Sequence, residues 1–273
     1  MYRKTVAKRP FFELKIQYGN KNSQMKKIEI SENLYQYQFP PFEDQHFGFN
    51  IYALIDGQEA LLIDTAFEAQ AQAVLEDLRK DDIEIKRVVF SHFHPDHISG
   101  LPVLDSPILY GNGLYQQSLN QYTPTEQHHY FKDVNVLTNE SELTFGAFNL
   151  KFQLVQGHVI CGMFTIINNT FVHVADDVMT SNEGIPLLPS VQVDNAQNHI
   201  ESLELLKRYS SCTLLLSHGN ALTESASILQ AIKDRQSYLS AVASHDEPIS
   251  IEKALQDCDC DFLHKEWHNY VYN

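Results

Sequence analysis

Three histidines and an aspartate fall within six residues in the run His92-Phe93-His94-Pro95-Asp96-His97. Neutral imidazole nitrogens and a carboxylate oxygen are the donors a borderline-soft divalent cation binds, with no demand for redox chemistry. The run directly follows Arg87 to Ser91, an apolar stretch that reads as a buried strand. In extended backbone His92 and His94 project to the same side and can chelate one ion. Pro95 then breaks the strand and biases His94 away from the αR region, so the chain turns and Asp96 and His97 face another position. One ion does not use all of these groups. A solvated loop or a set of satisfied core histidines does not account for their density.

Such a cluster must be aimed by rigid elements, and the hydrophobic pattern supplies them. From Lys27 to Asp64 the chain reads as a meander of strands, with Asp56-Gly57 as a hairpin turn. Phe67 to Lys80 carries Ala71, Val74, Leu75 and Leu78 at helical spacing, and Ile85 to Phe90 is a buried strand. A helix-and-turn region from Ile98 to about Tyr130 precedes short strands at Val134–Leu137, Phe148–Val155, Phe164–Ile167 and Phe171–Val174, with Asn168-Asn169 at a turn. An amphipathic helix over Gln197–Tyr209 leads into the strand Thr213–Leu216, and helices fill the remainder from about Glu224. The near-repeat of meander, helix and strand predicts an α/β fold, a four-layer αββα sandwich of two mixed β-sheets flanked by helices, with a helical C-terminal segment. The expected division is an irregular extension over 1–24, a catalytic core over 25–220, and a helical segment over 221–273 packed on that core.

Composition bounds the function. In 273 residues, 43% are hydrophobic and 20% charged, which suits an ordinary globular chain. The net charge of −15 opposes the counterion release that drives binding to nucleic acid or anionic lipid, so neither partner is expected. No apolar run approaches the roughly 20 residues of a membrane span. Met1 to Pro10 is basic but lacks the apolar core of a signal peptide, so a cytoplasmic location is expected. Cys161, Cys212, Cys258 and Cys260 make no disulfide framework, and Cys258-Asp-Cys260 reads as an exposed acidic turn.

The motif His92-x-His94-x-Asp96-His97 resembles the signature of the metallo-β-lactamase superfamily, whose fold is the αββα sandwich. The resemblance implies three later ligands, each closing a strand. His158 stands in Gly157-His158, and His218 in Ser217-His218-Gly219. The third is a carboxylate in Ala175-Asp176-Asp177, where alanine replaces the usual glycine; Asp176 is favoured and Asp177 is the alternative. Carried over, His92, His94 and His158 would hold one metal, Asp96, His97 and His218 the other, and Asp176 would bridge them. The match spans Lys27 to Asn220. It implies two divalent ions, zinc with iron or manganese as alternatives, whose bridging hydroxide attacks a small ester-like substrate: a thioester, lactone or phosphodiester. Asp96 and Asp176 would be the catalytic carboxylates, positioning the nucleophile and relaying a proton.

Departures from the family pattern narrow this. The β-lactam-hydrolysing relatives with two zincs place a cysteine where Asp176 stands, so antibiotic hydrolysis is not expected. Diiron electron-transfer relatives carry a glutamate at the position of His94. A mononuclear iron sulfur dioxygenase on the same fold and a non-catalytic metal-binding protein are the alternatives. Asp64 reads equally as a support for a ligand histidine or as a cap or turn residue. His173 reads as structural, His128-His129 as a loop, and His264 with His268 as a surface helix. Pro40–Asn50, Gly111–Tyr130 and Met179–Asp194 are candidate pocket walls that favour a small, partly apolar substrate. Residues Asn220–Asn273 hold four Lys/Arg against nine Asp/Glu, which disfavours anionic glutathione conjugates.

Overall fold

The computed structural model describes residues 25–42, 45–245 and 247–272. The expectation of an irregular extension over 1–24 falls outside them. The first sheet has the order β1-β2-β3-β4-β5-β6-β7, formed by Lys26–Ser31, Leu34–Gln38, Asn50–Asp56, Glu59–Ile63, Glu84–Val89, Ile108–Asn112 and Val134–Leu137. Its first four strands pair antiparallel and β4 to β7 pair parallel. The second sheet runs β12-β11-β10-β9-β8, with β8 at Glu142–Phe145, β9 at Phe148–Leu154, β10 at Met163–Ile167, β11 at Phe171–His173 and β12 at Thr213–Leu215. Only β11 and β12 pair parallel in it. Both sheets are therefore mixed, as the sequence order implies.

Period-two alternation shows why two sheets stack. On β3, Tyr52 and Leu54 turn inward to a central core while Ile51 and Ala53 join an outer one. On β4, Leu61 and Ile63 face the centre and Ala60 and Leu62 face outward. Strands apolar on both faces must be covered on both faces. The central core adds Phe148, Leu150, Phe152 and Met163 from the second sheet. The outer core of the first sheet is closed by α1 (Glu68–Arg79) through Ala71, Val74, Leu75 and Leu78, and by α3 (Tyr115–Tyr122) through Tyr115 and Leu119. The second sheet is covered by α4 (Val193–Leu206) and α5 (Ser225–Ala243), which supply Leu203, Leu206, Ile228, Ile232 and Leu239. Three cores between four layers give the αββα sandwich. A short helix α2 (Pro95–Ile98) lies in the first half, and α6 (Ile251–Ala254) follows α5. Among the described residues no helix is long and apolar enough to cross a membrane.

Several local readings change. Ile108–Asn112 is a strand inside the region read as helix and turn, paired between β5 and β7. His268 is buried, accepting from or donating to the Tyr238 hydroxyl at 3.0 Å and bonding the Ile249 carbonyl at 2.8 Å, so the surface-helix reading does not hold. His264 stacks on Trp267 at 4.5 Å, and a 3-10 turn rather than an α-helix follows it. His128 bonds the carbonyls of Leu119 and Thr123 at 3.2 and 3.0 Å, which fixes its loop against α3. Cys258 and Cys260 pack against the second outer core, with the Cys258 thiol 3.4 Å from the Asp234 carbonyl.

Candidate metal centre

The C-terminal ends of β4, β5, β9, β11 and β12 meet at one edge of the sandwich. Asp64 follows β4, His92 follows β5, His158 follows β9, Asp176 follows β11 and His218 follows β12. Ligand sites in open α/β sheets collect at such carboxyl ends. His94 keeps extended backbone, φ −79° and ψ 152°, as the N-cap of α2, and Pro95 opens that helix at its first position. Proline is tolerated there because the first helical N–H has no helical partner. The single turn then places Asp96 and His97 in a position distinct from His92 and His94, with the His97 ring still 3.8 Å from that of His92.

All seven candidate side chains converge, in two groups of four that share one member. Donor atoms of His92, His94, His158 and Asp176 lie within 4.8 Å of one another, and so do those of Asp96, His97, Asp176 and His218. In the first group, His94 Nδ1 is 3.1 Å from His92 Nε2 and 3.0 Å from His158 Nε2. Asp176 Oδ2 stands 3.8 Å from His92 Nε2 and 3.6 Å from His158 Nε2. In the second, Asp96 Oδ2 is 3.6 Å from both His97 Nε2 and His218 Nε2. Asp176 contributes both oxygens there, Oδ2 at 3.4 Å from His97 Nε2 and Oδ1 at 3.4 Å from His218 Nε2.

These spacings suit divalent cations. Four donors at roughly 2.1 Å in a tetrahedron stand about 3.4 Å apart. Hydrogen bonding alone leaves the cluster unsatisfied: His97 Nε2 and Asp176 Oδ1 are buried with no hydrogen-bond partner. Charge says the same. Burial drives the His92 pKa well below the usual imidazole value, helped by the neighbouring His97. Burial opposes charge on His97 and Asp176 too, yet Asp176, Asp96 and Asp64 hold the His97 pKa well above normal, and His97 and His218 hold the Asp176 carboxyl well below. Positive charge is thus favoured around Asp176, and ligation of a divalent ion by neutral imidazoles would displace any proton held there.

Neighbouring groups set which nitrogen faces inward. His97 Nδ1 is 2.8 Å from Asp64 Oδ2, and Asp64 also accepts from Ser91 N and Ser91 Oγ, each at 2.7 Å. With its hydrogen given to Asp64, Ser91 Oγ accepts from His92 Nδ1 at 3.1 Å. His218 Nδ1 donates to the Gly48 carbonyl at 2.8 Å. Each of these rings thus keeps its Nε2 lone pair for a cation, the usual role of such outer partners. Of the two readings of Asp64, the structure selects the support for a histidine. Asp64 sits at φ 61°, with Ala66 at 50° and Ala175 at 49°. Left-handed backbone at non-glycine residues costs on the order of 1 kcal/mol each and gathers here, around the candidate ligands.

Asp176 and Asp177 part company. Asp177 turns outward: Oδ1 accepts from His158 N at 3.2 Å, Oδ2 accepts from Ser202 Oγ of α4, and the His199 ring bonds its carbonyl at 3.2 Å. Asn195 of α4 donates to the carbonyls of Gln156 and Gly157. Helix α4 therefore holds the Gly157-His158 turn, and a Cβ on Gly157 would stand 2.7 Å from Asp177 Oδ2. Sequence reasoning missed this support, because which of two adjacent aspartates faces the cluster depends on the left-handed Ala175 preceding them. Replacing Asp177 with alanine leaves His158 N and Ser202 without their acceptor. The first group's affinity for zinc is expected to fall about 10- to 100-fold, read by competition with a chelating dye; an unchanged affinity would contradict this role. His173 is buried beside Tyr52 and Ser217 and stands outside both groups, as expected of a structural histidine.

Gly48 and Gly219 fix the second side. A Cβ on Gly48 would fall 1.8 Å from the Phe39 carbonyl, and Gly219 has φ +97°. Asn50 Nδ2 donates to the carbonyls of Leu216 and Gly219 at 2.7 Å each, which ties the His218 turn to the first sheet.

Comparison with known proteins agrees with this fold. A family model described as the metallo-beta-lactamase superfamily matches residues 47–209. A hydroxyacylglutathione hydrolase from Haemophilus ducreyi is 26% identical over 129 residues, 45% of this chain and 51% of that protein, so the chain matches about half the length of this relative. Among solved structures, a metallo-beta-lactamase from Pontibacter korlensis superposes with a TM-score of 0.62 at 15% identity, covering 77% of this chain and 100% of that one. An archaeal metallo-beta-lactamase superfamily protein from Sulfolobus tokodaii gives 0.58 at 15% identity, covering 87% and 94%. At such identities these structures speak for the fold.

Proposed function

This chain belongs to the metallo-beta-lactamase superfamily, and on that premise we propose that it is a metal-dependent hydrolase of a small ester-like substrate: a thioester, lactone or phosphodiester. His92, His94 and His158 would hold one divalent ion, and Asp96, His97 and His218 a second, with Asp176 shared between them. The observation that carries the reading is the pair of four-donor groups meeting at Asp176. A single-iron oxygenase would leave Asp96, His97 and His218 without a role.

When bound, such ions, zinc in first place, supply Lewis acidity to the substrate's acyl or phosphoryl oxygen and acidify water from a pKa of about 15.7 towards neutrality. The protein's part is to position and to move a proton. Asp64, Ser91 and the Gly48 carbonyl lock three imidazole tautomers, so no ring need rotate during turnover. Asp96 is the most solvent-exposed of the candidate carboxylates, with 14% of its side chain accessible against 5% for Asp176. A carboxylate at that position can take a proton from the nucleophile and return it to the leaving group. Asp176, deeper and shared, fixes the distance between the two groups.

The test is a panel of thioester, lactone and phosphodiester substrates, assayed before chelation, after it and after zinc is restored. Hydrolysis of one class, abolished by the chelator and recovered with zinc, is expected. Asp96→Asn is expected to slow turnover about 100-fold or more, as loss of a general acid–base group does. Turnover indifferent to chelation, or none at all with both ions bound, would replace the hydrolase by another reading.

A further inference from the structure

We propose that this site takes an uncharged acyl donor with an apolar or aromatic substituent, and discriminates against thioesters whose thiol portion carries carboxylates. The proposal rests on the hydrolase reading above and names the substrate class within it.

Charge is the first observation. The segments that carry or touch the candidate ligands are 39–42, 45–50, 64–68, 91–100, 111–130, 156–162, 176–194 and 218–224, and none contains a lysine or arginine. Besides Asp64, Asp96, Asp176 and Asp177 they contain Glu68, Glu126, Glu183, Asp194 and Glu224. Nearby cations are committed elsewhere. Arg235 of α5 is 1% exposed and donates to the carbonyls of Ala231 and Met179. Lys265 pairs with Asp261. In mid-β5, Lys86 pairs with Glu84 and Arg87 donates to the Thr144 carbonyl, and Lys132 precedes the N-terminal end of β7. A carboxylate drawn into this mouth would lose hydration with no ion pair in return, against a net charge of −15.

Apolar surface is the second. The Tyr122 ring stands perpendicular to His94, centroids 4.5 Å apart, at the end of α3. On the other flank Phe49 contacts His218 at 5.3 Å, and half-buried Phe42 and Phe67 pack on Phe49 at 5.2 and 5.3 Å. Ile160, two residues after His158, is 37% exposed. Both sides of the cluster therefore offer rings and aliphatic groups, on which an aryl or alkyl substituent loses water favourably. The step itself is plain hydrolysis. The acyl C–S or C–O bond breaks, water's hydroxyl joins the acyl carbon, its proton leaves with the thiol or alcohol, and no oxidant or reductant is consumed.

The experiment uses the zinc-loaded full chain and two thioesters of one hydroxy acid, the first with glutathione, the second with benzyl mercaptan, plus an aryl ester and a neutral lactone. The benzyl thioester is expected to show kcat/KM at least tenfold above the glutathione thioester at low salt. Added salt should raise the glutathione value by screening repulsion and leave the benzyl value flat. Ile160→Lys is expected to shift the ratio towards the glutathione thioester. A glutathione thioester that equals or exceeds the benzyl one at low salt overturns the proposal while leaving the hydrolase intact. Failure of all four substrates, with two zincs bound, overturns the proposal, and failure of an added phosphodiester as well removes the hydrolase reading with it.

Discussion

Asp176→Ala is expected to reduce bound zinc from two ions per chain to one or none and to lower kcat/KM by about three orders of magnitude or more, equivalent to ~4 kcal/mol of transition-state stabilisation. Asp176 is the one residue in both donor groups, with Oδ2 facing His92, His158 and His97 and Oδ1 facing His218. Removing it takes an anionic donor from each group at once. It also strips His97 and His218 of the carboxylate that most raises their pKa values. With the variant in hand, zinc content by elemental analysis and turnover by spectrophotometry read the two effects separately. Two retained zincs with near-normal turnover would mean that Asp176 is not shared between ions.

Asp64→Asn should be nearly as damaging, although Asp64 belongs to neither donor group. Its carboxylate accepts three hydrogen bonds, from Ser91 N, Ser91 Oγ and His97 Nδ1, in a site that is 1% exposed. An amide in its place has one acceptor oxygen and brings two hydrogens that need partners. Either His97 flips its tautomer and presents Nε2–H to the cluster, or Ser91 loses its acceptor and releases His92. Zinc affinity is expected to fall about 10- to 100-fold, as when such outer partners are removed elsewhere. Calorimetric titration of the apo-protein checks it. Affinity within twofold of the parent would show that Asp64 is only a turn residue.

The sequence carries this site unevenly, for physical reasons. His92 to His97 is local: alternation and one proline settle where four side chains point, and the structure keeps that arrangement. His158, Asp176 and His218 are remote from it, and a Gly-His pair or a strand-ending carboxylate means little until the strands are stacked. Asp176 is favoured over Asp177 only by the resemblance, and a supporting Asp64 is not separable from a capping one, because direction there is set by left-handed backbone at Ala175 and Asp64, and neither residue type announces it. The layers were readable because β3 and β4 alternate between two cores. Strand β6 was not, since Ile108-Leu-Tyr-Gly-Asn112 is short and ends in residues that usually mark turns. His268 was misplaced because its helix-like spacing from His264 says nothing about the Tyr238 hydroxyl and Ile249 carbonyl that bury it.

Anomalous diffraction from zinc-loaded crystals tests the central claim most directly. Two peaks per chain are expected, one among His92, His94, His158 and Asp176, the other among Asp96, His97, His218 and Asp176, with both Asp176 oxygens turned towards metal. A single peak, or metal bound away from these residues after loading with excess zinc, would contradict the account.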